Sequence, residues 1–507
     1  MKNKIIFICI LGVALASCKK GWLDVNDNPN NPATSTPGLV FTNAVSTTTG
    51  SGNTGTSTVN TMGAMQMGSY WSGQWAQSSS FQVSAPLMQY VFTDATFNYW
   101  STWFDNLADY NYIIKTADAA GEPAFKGMAK VMTAFQYQRL IDMYGDVPYT
   151  QAFQLATIPR PTYDNQEVIY GKLITLLDEA IADITAAPRT FSPQETIYKG
   201  DKTNWVKFAN TVKMRLLMRQ SRIASKAAYI TTEVNKVIAS GGVLTEGLDA
   251  KHNPGFINGT AGKLNPFYNT FGYTENGVEA TGYNRDKINS VLVNQLKAWN
   301  DFRFSTIAAP RFNTTGAAFG DYVGVPLGIN SAALVSTLTS SVGENQVVKG
   351  TMNKPVYIIS AAEAQFLMAE AKQSFPAINT STTAQMFYNE GVKLSFLQQD
   401  AGFLPADATA YLAQTFNNVN FAASTNKLTA IAWQKWIALA NFDGIEAWAE
   451  QRKTGVPSDA TVKTVNASAP PNAPVRLPYP FIENSANSAN VPTGINVFAT
   501  RLFWDIN

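Results

Sequence analysis

The chain has 507 residues, of which 15% are charged and 12% are aromatic, and its formal net charge is +2. A balance so close to neutral argues against a protein that binds nucleic acid by neutralising phosphates, and it favours a neutral ligand. The inventory of two cysteines and one histidine excludes catalytic triads built on histidine and zinc sites rich in histidine.

The first residues have the pattern of an export signal. Two lysines precede an apolar run over residues 5–16, which is too short to span a bilayer as a stable anchor. The sequence Leu-Ala-Ser-Cys then ends at Cys18 and matches the signal for cleavage and lipidation of that cysteine. We therefore predict a signal peptide at 1–17 and a mature chain that begins at Cys18. The mature chain then has neither a disulfide nor a free thiolate.

A segment rich in Asn, Asp and Pro follows this cysteine and cannot sustain a helix or a central strand. We predict that residues 18–37 are a tether between the lipid and a single body that covers residues 38–507. Acidic and amide side chains of the tether could bind calcium, but they lack the spacing of a calcium-binding loop. No metal site and no cofactor are predicted.

Large aromatic rings are concentrated between residues 70 and 103. The first half of this stretch is broken by a glycine, a run of serines and a proline, so no helical periodicity assigns its rings to a core. We predict a loop that presents rings to a ligand, while a buried satellite cluster of the same rings is the structural alternative. The candidate ligand-binding residues here are Tyr70, Trp71, Trp75 and Phe81.

The apolar spacing becomes helical from residue 98 onward. Residues 125–144 have apolar side chains on nearly every face, so this helix is predicted to be an inner helix with Phe135 at its middle. Gly145 suits the turn that ends it. A helix over residues 98–114 is expected to pack against it as the first of several helical hairpins.

Amphipathic helices recur along the rest of the chain. The further predicted hairpins are 164–184 with 205–222, 359–373 with 383–397, and 427–440 with 443–453. Residues 241–345 are rich in Gly, Asn, Thr and Pro and are predicted to be an irregular insertion with one helix at about 286–299. Within it, the candidate ligand-binding residues are Tyr268, Tyr273 and Tyr283. Trp205, Trp436 and Trp448 lie at helix-core spacing and are predicted to be structural.

The basic residues of the 205–222 helix resemble a binding stripe. On an amphipathic helix, however, they are more simply interpreted as its solvated face and as ion-pair partners. Those residues are Lys207, Lys213, Arg215, Arg219 and Arg222. The single histidine, His252, lies in a polar segment and is predicted to be a solvated loop residue.

Two pairs of carboxylates offer the one catalytic arrangement that the composition leaves open. Glu363 with Glu370, and Glu446 with Glu450, each lie on one face of a helix. A glycosidase needs two carboxylates that face a sugar across a cleft. Glutamates on an alanine-rich helix usually pair with neighbouring helices, so a structural role is predicted.

Several of these segments resemble the SusD/RagB family of outer-membrane nutrient-binding lipoproteins. The most specific matches are QYQRLIDMYGDVPYTQAF at 136–153, SAAEAQFLMAEA at 360–371 and IAWQKWIALANFDGIEAWAEQRKTG at 431–455. Residues 300–304, NDFRF, approximate the NDPR signature of the family with Phe302 in place of proline. The resemblance implies a mainly α fold, SusD-like, with four tetratricopeptide-type hairpins and a loop-rich ligand-binding insertion.

The same resemblance implies a function and a partner. We expect a non-catalytic lipoprotein of the outer membrane, facing the cell exterior, that captures an oligosaccharide or a peptide. Its expected partner is a SusC-like TonB-dependent transporter. Two alternatives are left open: a tetratricopeptide-type scaffold that binds another protein and no nutrient, and a surface glycan hydrolase.

Overall fold

A computed structural model describes residues 35–50, 57–188, 194–257, 259–260, 262–311, 321–343, 352–399 and 402–507. The predicted signal peptide, Cys18 and most of the predicted tether lie outside these residues. The described chain is mainly helical, as the sequence predicts. Among the described helices, none combines the length and the apolar character needed to cross a membrane.

Helices of the N-terminal half pack side by side. They are α1 Pro37–Thr49, α2 Ser57–Trp71, α3 Ala85–Gln89, α4 Trp100–Thr116, α5 Pro123–Tyr144, α6 Gln166–Ala186, α7 Lys202–Arg219 and α8 Ala227–Ala239. Asn165 and Asp201 begin α6 and α7 because their side chains accept hydrogen bonds from amides of the first turn. α4 packs against α5, and α6 packs against α7, as the first two predicted hairpins require.

The insertion that follows α8 contains only short elements. They are β2 Ala250–His252, α9 Pro266–Phe271, α10 Thr281–Arg285, β3 Asp286–Ile288, α11 Ser290–Ala298, α12 Phe304–Ile307 and the 3-10 turns Ala332–Leu334 and Ser336–Leu338. After it come β4 Val356–Ile359, α13 Ala361–Ser374, α14 Ala384–Leu397, α15 Pro405–Leu412, α16 Lys427–Leu439, α17 Gly444–Thr454, α18 Asp459–Val462 and α19 Phe481–Ala486. α13 pairs with α14, and α16 with α17.

Two short antiparallel pairings connect the insertion to the helical body. The strand β1, Trp75–Gln77, pairs with β3, and Trp75 lies opposite Ile288. The strands β2 and β4 also form an antiparallel pair. The first pairing brings the chain that follows α2 next to α10, so the two segments with predicted ligand-binding rings are neighbours.

Helix α5 is the inner helix that the sequence predicts. Every residue from Gly127 to Tyr144 is buried, and α5 packs against α1, α4, α6 and α7. A Cβ atom on Gly127 would lie 2.9 Å from the carbonyl oxygen of Ala180, so glycine permits the close approach of α6. Phe135 is buried, and so are the predicted core residues Trp205, Trp436 and Trp448.

Helices α2 and α17 cross at a pair of glycines. A Cβ atom on Gly68 would lie 2.3 Å from the carbonyl oxygen of Gly444, and one on Gly444 would lie 2.3 Å from that of Met65. No side chain can be added at either position without moving a backbone, because real Cβ atoms do not approach backbone so closely. The two helices therefore contact each other backbone to backbone.

Three of the five basic residues of the 205–222 segment do not lie on a solvated face, whereas Lys207 is half-buried and Arg222 is exposed. Lys213, Arg215 and Arg219 are buried, so this part of the prediction is wrong. The prediction that they take ion-pair partners is confirmed, since Arg215 donates hydrogen bonds of 2.7 Å to each carboxylate oxygen of Glu363. A charge can be buried in this way only where partners compensate for its lost hydration.

Arg219 is the centre of a buried ion network. Its guanidinium lies 2.6 Å from Glu446, 2.6 Å from Glu450 and 3.3 Å from Asp142. Burial opposes the ionisation of Glu450, but Lys435 and its other cationic neighbours outweigh burial and hold the pKa of this carboxyl well below its usual range. The network unites α5, α7, α13, α16 and α17, and its members are Asp142, Arg215, Arg219, Glu363, Glu370, Lys435, Glu446, Glu450 and Lys453.

His252 is not the solvated loop residue that the sequence predicts. It lies in β2 and is fully buried. Its Nε2 atom lies 3.2 Å from the hydroxyl of Ser46, and its Nδ1 atom lies 2.7 Å from the hydroxyl of Thr196. The polar residues around His252 in the sequence hide this position, because α1 and the chain before α7 cover it from outside the strand.

We expect His252 to make the protein less stable in acid. Burial lowers the pKa of His252 from 6.5 to about 4. Between these values the unfolded chain binds a proton that the folded chain does not, so stability falls as the pH falls. The wild type should lose about 3 kcal/mol more free energy of unfolding than His252→Gln between pH 7 and pH 4. Parallel urea denaturation of both proteins measures this difference, and identical losses would contradict the burial of a neutral imidazole.

Candidate functional site

The first three of the predicted ligand-binding rings, in the order of the chain, are inside the protein. Tyr70 and Trp71 end helix α2, and Trp75 begins β1, so none of them lies in the predicted loop. At most 1% of each residue is exposed. The prediction that these rings face solvent is therefore wrong, and the alternative of a buried cluster describes them. In this conformation they offer no surface to a ligand.

Specific partners hold each of these rings. The Tyr70 hydroxyl donates a hydrogen bond of 2.6 Å to Asp286, and the Trp75 indole donates one of 2.9 Å to Asn441. Trp71 packs edge to face with Trp448 at 5.1 Å between ring centroids. These contacts join α2 and β1 to the insertion and to α17, so the rings are part of the core.

The rings predicted in the insertion do come together. The centroids of Tyr268 and Tyr273 are 6.0 Å apart, and those of Tyr273 and Tyr283 are 5.1 Å apart. Tyr268 and Tyr283 are buried, whereas Tyr273 is half-buried. Two inner rings therefore support one ring that reaches the surface. Of these three candidates only Tyr273 exposes ring surface to a ligand, and the prediction of direct contact by Tyr268 and Tyr283 does not fit their burial.

A tight turn presents Tyr273. The amide of Ala280 donates a hydrogen bond of 2.8 Å to the carbonyl of Gly272, and the amide of Thr274 donates one of 2.8 Å to that of Val278. Glu279 pairs with Tyr273 in an antiparallel bridge, and Val278 before it is 63% exposed. The turn thus places the Glu279 side chain opposite the partly exposed ring.

The loop with Phe81 lies against the same part of the insertion. The amide of Ser78 donates a hydrogen bond of 2.8 Å to the carbonyl of Arg285. The hydroxyl of Ser80 donates a hydrogen bond of 3.3 Å to the hydroxyl of Ser336. Phe81 is half-buried, so it retains some accessible ring surface. These hydrogen bonds attach the loop to the insertion, and Phe81 remains the candidate ring of the first segment that is not enclosed.

Polar groups border these rings. The side-chain amide of Asn284, next to Tyr283 in α10, donates a hydrogen bond of 2.8 Å to the exposed carboxylate of Glu279. Sequence reasoning did not select either residue, because only the turn and α10 bring them beside the rings. We call this surface the tyrosine platform, and its members are Tyr268, Tyr273, Glu279, Tyr283 and Asn284.

Lys287 supports the platform from below. It is buried, and its ammonium donates hydrogen bonds of 3.1 Å to the carbonyl of Tyr283 and 2.7 Å to the hydroxyl of Ser341. Burial lowers the pKa of Lys287 to about 8. Because the lysine is enclosed, it holds the backbone of α10 in place and does not contact solvent.

The platform combines an aromatic ring with a carboxylate and an amide. Aromatic faces stack on apolar surfaces. A carboxylate accepts hydrogen bonds from hydroxyl groups, and a side-chain amide can both donate hydrogen bonds to them and accept hydrogen bonds from them. The carboxylate pairs considered for a glycosidase lie elsewhere, since Glu363, Glu370, Glu446 and Glu450 are all buried in the ion network. Within the described ranges, no three His, Cys, Asp or Glu side chains form a group that could hold a metal ion.

Comparison with solved structures identifies the fold. A chitin-binding SusD homologue from Flavobacterium johnsoniae has a TM-score of 0.75 and 24% identity, with 93% of this chain and 99% of that chain covered. A SusD homologue from Bacteroides fragilis has a TM-score of 0.74 and 20% identity, with the same coverage. One from Bacteroides uniformis has a TM-score of 0.70, 24% identity and again 93% and 99% coverage. No curated protein has a significantly similar sequence.

A family model covers most of the chain. Residues 29–480 match the SusD-like family that is described as starch-binding and associating with the outer membrane. The match spans the helical hairpins and the insertion with the tyrosine platform, and the solved relatives have the same fold. The chain therefore belongs to the SusD-like family of outer-membrane proteins.

Proposed function

We propose that this protein captures a neutral oligosaccharide outside the cell without cleaving it, and that the tyrosine platform is where the oligosaccharide binds. The observation that carries the proposal is the partly exposed Tyr273 ring, supported by two buried tyrosines and bordered by Glu279 and Asn284. The starch-binding description of the family and the chitin-binding relative support a glycan as the ligand.

The chemistry of the platform suits a sugar better than a charged ligand. One face of a pyranose ring presents C–H groups, which pack on an aromatic ring, while its rim carries hydroxyl groups that donate and accept hydrogen bonds. Tyr273 supplies the ring, and Glu279 with Asn284 supplies polar groups that are already held together. Such a surface binds through an exposed face and leaves the bonds of the ligand intact.

Tyr273→Ala is expected to weaken oligosaccharide binding by about tenfold or more, by analogy with the roughly 2 kcal/mol of an aromatic hot spot. The melting temperature should change little, because the side chain that is removed is only half-buried. Isothermal titration calorimetry with maltooligosaccharides and chitooligosaccharides measures the affinity of the lipid-free protein.

Tyr229→Ala is the matched control. Tyr229 is an exposed tyrosine on α8, outside the platform, and its removal should leave the affinity unchanged. Equal affinity for the wild type and Tyr273→Ala would show that the platform is not the binding surface. Release of shorter sugars would instead favour the hydrolase, and binding of a protein without any glycan would favour the scaffold.

We further propose that the protein is anchored by lipid at Cys18 and passes its ligand to a SusC-like TonB-dependent transporter. The sequence signal before Cys18 and the outer-membrane description of the family support this arrangement. Co-purification of a tagged protein with a β-barrel transporter from detergent-solubilised outer membranes tests the partnership. Recovery of the tagged protein alone after mild cross-linking would contradict it.

Cys18→Ala should release the protein from the membrane or mislocalise it, because multiple acyl chains on one cysteine hold a protein firmly at a bilayer. Fractionation of cells that lack the transporter measures the membrane-bound share. Cys9→Ala is the control, since Cys9 lies in the predicted signal peptide and is removed with it. A Cys18→Ala protein that stays in the membrane fraction would show that the lipid anchor lies elsewhere.

A further inference from the structure

A cleft lies between the start of the insertion and the elements that follow the insertion, apart from the tyrosine platform. Its volume is about 430 Å³, within the range of about 300–1,000 Å³ that is typical of small-molecule sites. The two strands β2 and β4 and the N-terminal end of α13 form one side, and the C-terminal end of α14 forms the other. We call it the Tyr357 cleft, and the lining residues used below are Glu246, Asp249, Lys251, Tyr357 and Gln398.

Tyr357 is a held aromatic ring in this cleft. It lies in β4 and is half-buried. The Phe442 ring meets it edge to face at 5.0 Å between centroids, and the ammonium of Lys251 lies 5.2 Å from its centroid. Because both neighbours restrict the ring, it is ordered before a ligand arrives, as an aromatic binding surface should be.

Polar groups of the cleft are also fixed in advance. Asp249 accepts a hydrogen bond of 2.8 Å from the amide of Ala361 at the start of α13, and its other oxygen lies 3.3 Å from Lys251. Glu246 lies 3.0 Å from Lys393. Each carboxylate therefore has a lysine beside it. A neutral ligand with hydroxyl groups matches this balance better than a ligand with net charge.

One buried acceptor of the cleft lacks a donor. Gln398 is 6% exposed, and its side-chain amide donates a hydrogen bond of 2.6 Å to the carbonyl of Ala438. Its Oε1 atom accepts no hydrogen bond from the described residues. Leaving such an acceptor unpaired is unfavourable. Because the atom has almost no accessible surface, the Gln398 amide must turn toward the cleft before a ligand hydroxyl can pair with it.

The geometry points to a second saccharide-binding site in the Tyr357 cleft, one that takes a neutral sugar unit through the Tyr357 ring and the polar groups around it. This inference rests on the proposed function, because it assigns a further unit of the same kind of ligand. It differs in place, since none of the lining residues belongs to the tyrosine platform.

Asn265 connects the two sites. Its backbone amide and its side-chain amide donate hydrogen bonds of 2.8 Å and 2.9 Å to the carbonyls of Met352 and Lys354, directly before the cleft strand β4. Its side-chain oxygen accepts a hydrogen bond of 3.1 Å from the amide of Tyr268, in the helix that supports the platform. Two sites that are linked through Asn265 can hold one long glycan at two points. This raises the overall avidity without tighter binding at either site.

Calorimetric titration with maltotriose and with chitotriose tests the inference on the full lipid-free chain. The wild type should bind two trisaccharides per chain, while Tyr273→Ala and Tyr357→Ala should each retain one. Tyr357→Ala should weaken the cleft site by about tenfold or more. Because Tyr357 packs on Phe442, a second pair of variants separates binding from folding.

Glu246→Gln and Glu390→Gln form this matched pair. Both carboxylates lie within 3.0 Å of Lys393, but only Glu246 lines the cleft. Glu246→Gln should weaken the cleft site by up to about tenfold through the loss of a charged acceptor, and Glu390→Gln should leave it unchanged.

The outcomes distinguish the two claims. Suppose the wild type binds one trisaccharide per chain, Tyr273→Ala abolishes that binding, and neither Tyr357→Ala nor Glu246→Gln affects it. This result overturns the second site and leaves the proposed function standing. One site that responds only to the cleft variants overturns the platform and supports the cleft. A wild type that binds neither trisaccharide overturns both. Uptake of a tetra-alanine peptide in the cleft, without either trisaccharide, overturns the assignment of a saccharide.

Discussion

Arg219→Met is expected to lower the free energy of unfolding by about 3–5 kcal/mol, because it leaves buried carboxylates without their shared cation. Arg219 has no exposed surface, and its guanidinium contacts Asp142, Glu446 and Glu450 at the junction of three helices. Methionine approximates the length of the side chain but donates no hydrogen bond. Urea denaturation followed by far-ultraviolet circular dichroism measures the loss.

Lys126→Met provides the comparison for an exposed ion pair. Lys126 lies 2.7 Å from Asp118, whose side chain is 61% exposed, and such pairs contribute about 0–1 kcal/mol. A similar small loss for Arg219→Met would mean that water or a local rearrangement compensates the carboxylates. In that case the ion network would not be what holds α5, α7 and α17 together.

Trp75→Ala is expected to lower the free energy of unfolding by about 3–5 kcal/mol, since it removes a large buried ring from a packed core. Trp75 contacts Phe271 at 4.9 Å and Phe267 at 5.9 Å between centroids, and its indole is bonded to Asn441. The sequence hypothesis of a ligand-binding loop predicts the reverse, namely weaker binding with little loss of stability. Thermal and urea denaturation together with calorimetric titration separate the two.

Phe81→Ala is the companion variant. Phe81 is half-buried, so its removal should affect stability less than that of Trp75, and it should weaken binding if the loop contributes to the platform. A Trp75→Ala protein with wild-type stability and reduced affinity would restore the sequence hypothesis. It would also require a conformation in which the ring leaves the core.

The helical body is readable from sequence because its helices are long and periodic. In α5 and α7, apolar residues recur at helical spacing over five turns or so, and the resulting buried faces are found in the structure. The elements around Trp75 give no such signal. β1 has three residues, which is too short to show any periodicity. The small polar residues of α2 are typical of a loop, although the segment is helical.

Burial of charge was the second feature that sequence reasoning could not assign. Arg215 and Arg219 have the same spacing whether they face water or a neighbouring helix. What decides between these environments is the position of Glu446 and Glu450 on α17, more than two hundred residues away along the chain. The burial of His252 likewise depends on a distant element, since α1 covers it.

The tyrosine platform was predicted in part. The grouping of Tyr268, Tyr273 and Tyr283 follows from their concentration in one irregular segment, whereas the contribution of Glu279 depends on a turn whose geometry the sequence does not reveal. No pattern in the sequence indicates the Tyr357 cleft. Its groups come from β2, β4, α13 and α14, and they become neighbours only after the strands pair.

The glycine crossing of α2 with α17 restricts the order in which the protein can fold. Gly68 can reach its final packing only after Gly444 has been synthesised. Trp71 can likewise complete its packing only when the Trp448 ring is in place. Contacts between such distant parts of a chain slow folding, because a long loop must close before they form. Until the last hairpin forms, the N-terminal helices therefore have an incomplete core, whose exposed apolar surface favours aggregation.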